Sequence, residues 1–440
     1  MKQTKEKYGL FTSLAMIVGI VIGSGIFFKS DNVLIGTNGN VLLGVLAFVI
    51  AALSIIFGGL SISELASRTN HPGGAITYME LFAGKMLGTG FGWFQNYVYY
   101  PGLIVVVAYV VGIYSQILFN LQGGLFQQVL IGVIFFTCCF ILNTLSAKLG
   151  GYFQNATMVI KLIPLLLIAI CGLLFGDPAA GFANISADTF RNASLMAAIG
   201  PVIFAYDGWI ISTSIAHEIK DSKRNLPLAL ILAPIFVTIT YVLYFVGITN
   251  YLGPQKIMEL GDSHVYLAAS NLLGDFGAKA MLVFVIISVM GTVNGLVLGY
   301  IRVPYALALR KWIPRSNTLA IENPKLQMPV NSAVFGYVIC LFWTVVHYLT
   351  ATYNLLPNSD ISEISIAVGY TFYIIMYYQV FRLWRQGKIN NWRRGLLFPL
   401  IATAGSLFIL YSCMQSSLFI YYAIFSLSVA GIGMIYSKFN

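Results

Sequence analysis

The sequence predicts an all-α polytopic membrane protein of twelve transmembrane helices, built as a 5+5 inverted repeat with two helices appended. Three observations lead there. Of 440 residues, 58% are hydrophobic and 9% charged, with mean hydropathy +0.82. A soluble domain carries roughly 25% charged residues, so this apolar surplus needs a lipid-facing surface. Hydropathy separates twelve apolar segments, near 9–34, 41–67, 86–119, 125–145, 151–175, 194–219, 227–252, 275–303, 330–350, 361–382, 396–414 and 418–437. The first and sixth are each interrupted by residues that build poor helix.

Charge orients the spans. The net charge of +10 invites a nucleic-acid reading, but its distribution excludes one. With the N-terminus inside, twenty of the 25 Lys and Arg fall on the inner side. Lys29, Arg191, Lys256 and Lys279 fall outside, and Lys161 lies within a span. This is the positive-inside bias, so both termini are expected in the cytoplasm. The basic arm Lys2, Lys5, Lys7 leads into an apolar run too long for a signal-peptide core, so a span is expected there. All five cysteines (138, 139, 171, 340, 413) sit inside apolar runs, as buried apolar residues do. No Cys/His spacing matches a metal site, and no cofactor is expected.

Span 1 breaks at Gly23-Ser24-Gly25. Each glycine costs about 1 kcal/mol against alanine inside a helix. Irregular backbone at membrane depth survives only when buried in protein or lining a watery cavity. Span 2 ends at Glu64 and Arg68, read as a cytoplasmic cap. His71-Pro72-Gly73-Gly74 is a turn into a short amphipathic piece, too short to span. Span 3 carries Tyr97, Tyr99, Tyr100 and Pro101 well inside its ends, which suits a pocket or helix packing equally. Lys161 in span 5 lies about three turns, roughly 16 Å, from the start of its span. An ammonium at that depth is functional by default, against a tether to freed carbonyls as the alternative. Span 6 is the second break, Pro201-Val202-Ile203-Phe204-Ala205-Tyr206-Asp207-Gly208-Trp209, where a proline, an acidic residue and a glycine inside eight residues are expected to disrupt the helix. Asp207 has no basic sequence neighbour and falls near the midplane. Span 8 holds Asn294, a polar residue placed near the site for coupling or structure. Span 10 opens with Ser359-Asp360-Ile361-Ser362-Glu363, a helix N-cap with acidic residues on the positive dipole end.

The breaks lie about 180 residues apart, and after five spans the sixth crosses in the opposite direction. One domain is expected over 1–440, with repeat 1 at about 9–175, repeat 2 at about 194–382 and the last two helices at about 396–437. Two facing discontinuous helices place a site at the midplane. Half-helix N-termini offer free N–H groups to an anion, and freed carbonyls receive a cation. A zwitterion has one group of each kind.

Gly23-Ser24-Gly25-Ile26-Phe27, Pro72-Gly73-Gly74-Ala75-Ile76-Thr77-Tyr78, Lys161-Leu162-Ile163-Pro164 and Phe204-Ala205-Tyr206-Asp207-Gly208-Trp209, in this order across twelve spans, carry a resemblance. Together they resemble the amino acid–polyamine–organocation superfamily, and within it the L-type amino acid transporter family and its bacterial serine/threonine and alanine/serine/cysteine exchangers. The resemblance covers nearly the whole chain and implies the leucine-transporter-type fold. It implies that Gly23, Ser24 and Gly25 hold a substrate carboxylate, with the Val21 and Ile22 carbonyls toward the amine. Carbonyls of Phe204, Ala205 and Asp207 would complete the amine site, and Phe204 or Tyr206 would close over the substrate. Lys161 matches the family's lysine in the region where sodium-coupled relatives hold sodium, so sodium-independent exchange is expected. Eukaryotic members join a glycoprotein subunit through a cysteine between spans 3 and 4. The loop at 120–124 has none, so no disulfide-linked heavy subunit and a bacterial inner (plasma) membrane are expected. The sequons at Asn184 and Asn192 are then chance.

The leading expectation is an exchanger of small neutral L-amino acids such as serine, threonine or alanine. Proton-coupled symport and larger neutral or aromatic substrates stand as alternatives. An intramembrane enzyme is disfavoured. It needs a nucleophile with a base, a carboxylate pair or a metal at depth, and the four histidines lie near span ends.

Overall fold

The computed structural model describes residues 9–23, 25–69, 74–146, 150, 152–153, 156–157, 160–182, 194–210, 219–326, 328–357, 359–415 and 418–439. Ser24, the His71–Gly73 turn and both sequons lie outside the described residues. Among the described residues the elements are helices, with one isolated antiparallel bridge between Asn323 and Met328 and no strand.

In chain order these are α1 (Leu10–Val21), α2 (Gly25–Gly36), α3 (Val41–Ala66), α4 (Gly74–Ala83), α5 (Lys85–Phe94) and α6 (Tyr100–Phe119). Then come α7 (Gly124–Leu145), α8 (Leu162–Phe175), α9 (Leu195–Tyr206), α10 (Ser222–Leu252), α11 (Pro254–Leu260) and α12 (His264–Tyr300). The chain closes with α13 (Arg302–Leu309), α14 (Val330–Thr352), α15 (Ile361–Arg385), α16 (Phe398–Cys413) and α17 (Phe419–Phe439). Among the described residues, nine helical segments are long and apolar enough to cross a membrane. The apolar runs near 9–34, 151–175 and 194–219 instead yield shorter pieces: α1 with α2, α8, and α9. Large apolar side chains such as Phe276 (89% exposed), Ile134 and Val338 face outward, as lipid contact requires. The chain is thus a multi-pass membrane protein.

The interrupted runs sit inside the bundle. α1 packs on α10, and α2 on α9; α10 is flanked by α3 and α8. α12 packs on α6, while α16 bridges α3 and α15. α12 is itself kinked at Gly274, whose φ of 70° and ψ of 177° suit only glycine. The kink divides α12 into a short first part from His264 and a long second part ending at Tyr300.

The aromatic cluster of span 3 proves to be a wide turn. Gln95–Tyr99 is π-helical, between α5 and α6. Pro101 causes it: proline has no N–H for the Tyr97 carbonyl, and its ring crowds that oxygen. Widening the turn relieves the clash. The freed Tyr97 carbonyl accepts the indole N–H of Trp343 at 2.7 Å, and the Asn96 carbonyl accepts the Tyr300 hydroxyl at 2.6 Å. The bulge is therefore paired by side chains from α14 and α12. Trp343→Phe removes one donor and leaves a carbonyl unpaired in a dry setting, at about 1–3 kcal/mol. A lowered melting temperature of the detergent-purified variant is expected; an unchanged one would mean the bulge needs no such partner.

Candidate functional site

The first interruption is compact. α1 ends at Val21, and Ile22 is extended, with φ −70° and ψ 108°. α2 starts at Gly25. Weak helix propensity is only part of the reason for glycine here. A Cβ at Gly25 would stand 2.9 Å from the Ala205 Cβ and 3.1 Å from its nitrogen, and closer still to its Cα. At Gly23 a Cβ would stand 2.5 Å from the Thr292 Oγ1. The segment thus lies directly against α9 on one side and α12 on the other.

The second interruption comes later than the sequence suggests. Pro201 does not stop α9, which runs unbroken to Tyr206. The proline is the seventh residue of that helix, so the disruption costs one hydrogen bond and no more of the turn. The break falls at Asp207, extended at ψ 159°, and Gly208, whose φ of +95° excludes most side chains. Phe204, Ala205 and Tyr206 form the last helical turn, where carbonyls lack intrahelical partners. Phe204 O accepts from the Asp207 N–H at 3.2 Å.

One hydroxyl joins the two interruptions. Tyr241 of α10 lies within hydrogen-bond reach of the Val21 carbonyl (3.1 Å) and the Ala205 carbonyl (2.9 Å). Tyr241 is fully buried. It stands mid-helix in an apolar run, so sequence reasoning had no signal for it.

Lys161 reaches the same region from the turn before α8. Its Nζ donates to the Gly19 carbonyl at 2.9 Å and to Thr292 Oγ1 at 3.2 Å, and the residue is 1% exposed. Gly19 lies in the last turn of α1, so the ammonium sits at the negative end of that helix dipole. Asn294, two residues after Thr292 and so on the other side of α12, holds a different seam. It accepts from Asn143 of α7 at 2.8 Å and donates to the Gly150 carbonyl at 3.0 Å. Asp207 accepts the Tyr99 hydroxyl at 2.7 Å, so the π-helical turn supplies its partner.

The two gate candidates separate. Tyr206 donates to Thr238 at 2.8 Å and packs on Phe48 and Tyr241, fixed in the wall. Phe204 meets Phe28 edge-on at 6.2 Å, with the Lys29 ammonium 5.2 Å from its ring centre. Above it lies a buried ion cluster. Lys29 of α2 contacts Asp360 at 2.7 Å and Glu363 at 2.5 Å, at the start of α15. Asp360 also accepts the Ser362 N–H at 2.8 Å, which is the expected N-cap. Sequence reading counted Lys29 only as an outer-side charge; its partners are more than 330 residues away. At the opposite end Glu64 pairs with Arg68 (3.6 Å) and Arg394 (3.4 Å), and Glu80 with Arg310 (3.0 Å).

Interrupted helices meeting inside a bundle of membrane-length helices, with ion pairs at either end, suit a membrane transport protein. The amino acid permease family model matches residues 8–437, and the chain belongs to that family. The serine/threonine exchanger SteT of Bacillus subtilis (strain 168) is 31% identical over 415 residues, 93% of this chain and 91% of that protein. The human large neutral amino acids transporter small subunit 2 is 26% identical over 415 residues, 90% of this chain and 74% of that one. The human cystine/glutamate transporter is 24% identical over 379 residues, 84% and 74% of the two chains.

Tyr241→Phe tests the joint between the interruptions. The hydroxyl has one proton, so the variant removes the single donor that the two carbonyls share, at about 1–3 kcal/mol. The purified variant should melt below wild type, and protease should cut it faster near residues 19–26 if the joint restrains that segment. Wild-type stability and protection would discount the joint.

Proposed function

We propose that the chain is a sodium-independent exchanger of small neutral L-amino acids, working by alternating access. The observation that carries this reading is the convergence of the Val21 and Ala205 carbonyls on one point, beside the N-terminus of α2. Freed carbonyls suit an ammonium and a helix N-terminus suits a carboxylate, so the pair fits the head group of an amino acid. In this reading Gly23, Ser24 and Gly25 hold the carboxylate. Carbonyls of Val21, Ile22, Phe204, Ala205 and Asp207 receive the amine. A carbonyl oxygen has two lone pairs, so Tyr241 and the substrate amine can share one. Phe204, between the interruptions and the Lys29 cluster, closes over the substrate.

Lys161 supports sodium independence. Its ammonium already occupies a cation position between α1 and α12, held by a carbonyl and a hydroxyl. Asn294 ties α12 to α7 beside it. Exchange of serine or threonine is favoured by the relative from Bacillus subtilis, whose name gives that activity. The twelve-span reading, with repeats at about 9–175 and 194–382, gives the α1/α2 and α9 pieces equivalent places in the two repeats. Both termini then lie in the cytoplasm, the Lys29 cluster faces outward, and the Glu64 and Glu80 pairs face inward. The loop between α6 and α7 has no cysteine for a heavy subunit, which suits a bacterial plasma membrane.

Proteoliposomes loaded with unlabelled serine test the proposal. Labelled serine should enter without sodium or a pH gradient, and empty vesicles should take up little. Uptake that requires a proton gradient and ignores internal amino acid would replace exchange by symport. Lys161→Ala should lower exchange by at least about tenfold while the protein inserts and purifies normally. Wild-type exchange in that variant would reduce the lysine to a tether. Gly25→Val forces α2 off Ala205, so the thermal stabilisation given by serine should vanish. Retained stabilisation would move the site elsewhere.

A further inference from the structure

A cavity lies away from the interruptions. It has a volume of about 300 Å³ and opens between α2, α9, the start of α15 and the end of α16. Its lining includes Asn32, Gly200, Glu363, Ser412, Cys413 and Gln415. Pockets of this size take small organic molecules.

The charge beside it is unbalanced. Lys29, Asp360 and Glu363 are 2%, 9% and 3% exposed, so one cation faces two carboxylates in a dry setting. Glu363 divides its oxygens. Oε1 takes the lysine, while Oε2 accepts the Ser359 hydroxyl at 2.8 Å on the cavity side and keeps capacity for another donor. Glycine at 200 makes room for it: a Cβ there would stand 2.7 Å from Oε2. Independently, the Ser412 hydroxyl lines the cavity at 4% exposure with no hydrogen-bond partner among the described residues. Buried polar atoms of folded proteins are paired, so an orphaned hydroxyl at a cavity wall marks the place of an absent partner. A residual negative charge, an unsatisfied hydroxyl and flanking amides select a cation that also presents hydrogen-bond donors.

We propose that this cavity is a binding site for a primary ammonium group, held by Glu363 and Ser412. Such a ligand shares Glu363 with Lys29 and so loosens the ion cluster that joins α2 to α15. Two sources share the chemistry, a free amine and the headgroup of phosphatidylethanolamine. The site lies outside the amino acid site proposed above, and its test reads binding and not transport.

Cys413 provides the readout. In a Cys138→Ser, Cys171→Ser background, the purified protein is treated with aminoethyl or sulfonatoethyl methanethiosulfonate. Modification of Cys413 is followed by mass spectrometry, with each rate normalised to a free thiol. The cationic reagent should be favoured by about tenfold. Glu363→Gln should bring the ratio near one. Because that change also strips Lys29 of a partner, Ser412→Ala is the second probe: it should weaken protection of Cys413 by ethylamine or putrescine at least about threefold. Protection by added ethylamine in phosphatidylglycerol nanodiscs would assign a free amine. Protection by phosphatidylethanolamine nanodiscs alone would assign the lipid headgroup. Equal normalised rates for the two reagents, or no protection by either source, would overturn the proposal.

Discussion

Everything at the centre of this molecule follows from the contact of Gly25 with Ala205. In an apolar medium an unpaired backbone group costs several kcal/mol, so a helix can be interrupted only where the freed groups find partners. Pressing one interruption against the other solves this for both. The carbonyls of Val21 and Ala205 face the same volume, and one buried tyrosine reaches each of them. A methyl group at position 25 would separate the two helices and leave both sets of carbonyls unserved.

Two lysines meet opposite solutions to burial. Lys161 has a carbonyl and a threonine hydroxyl for partners, with the end of α1 behind them. Lys29 has two carboxylates. Breaking such a buried ion set by removing one partner costs about 3–5 kcal/mol, because the remaining charge is stranded. A cluster of that strength joins α2 to the start of α15.

Much of this was legible in the sequence where the signal is compositional. Apolar length located the long helices, and glycine and aspartate within the apolar runs located the interruptions. Pro201 misled, because a proline near the middle of a short helix removes one bond while Gly208 alone adopts the backbone turn that ends it. Tyr241 and Lys29 were beyond reach for another reason. A tyrosine in an apolar run and a lysine near a span end are ordinary in sequence. Only the packing of α10 on α1, and of α2 near the start of α15, gives them partners. Phe204 and Tyr206 were equivalent on paper, and neighbours on α2 and α10 distinguish them.

The wide turn at Gln95–Tyr99 has a phase consequence. A π-turn carries an extra residue, and one residue of α-helix is a rotation of about 100°. The helical faces of α5 and α6 are therefore out of step, as though one rod had been cut, twisted and rejoined. The half containing α5 is set for α17, while the half containing α6 is set for α12 and α7. Tyr99 and Tyr100, at the seam, face Asp207 and Tyr300 respectively. Healing the seam by losing a residue would leave each half sound as a helix and turn one of them away from every neighbour it has.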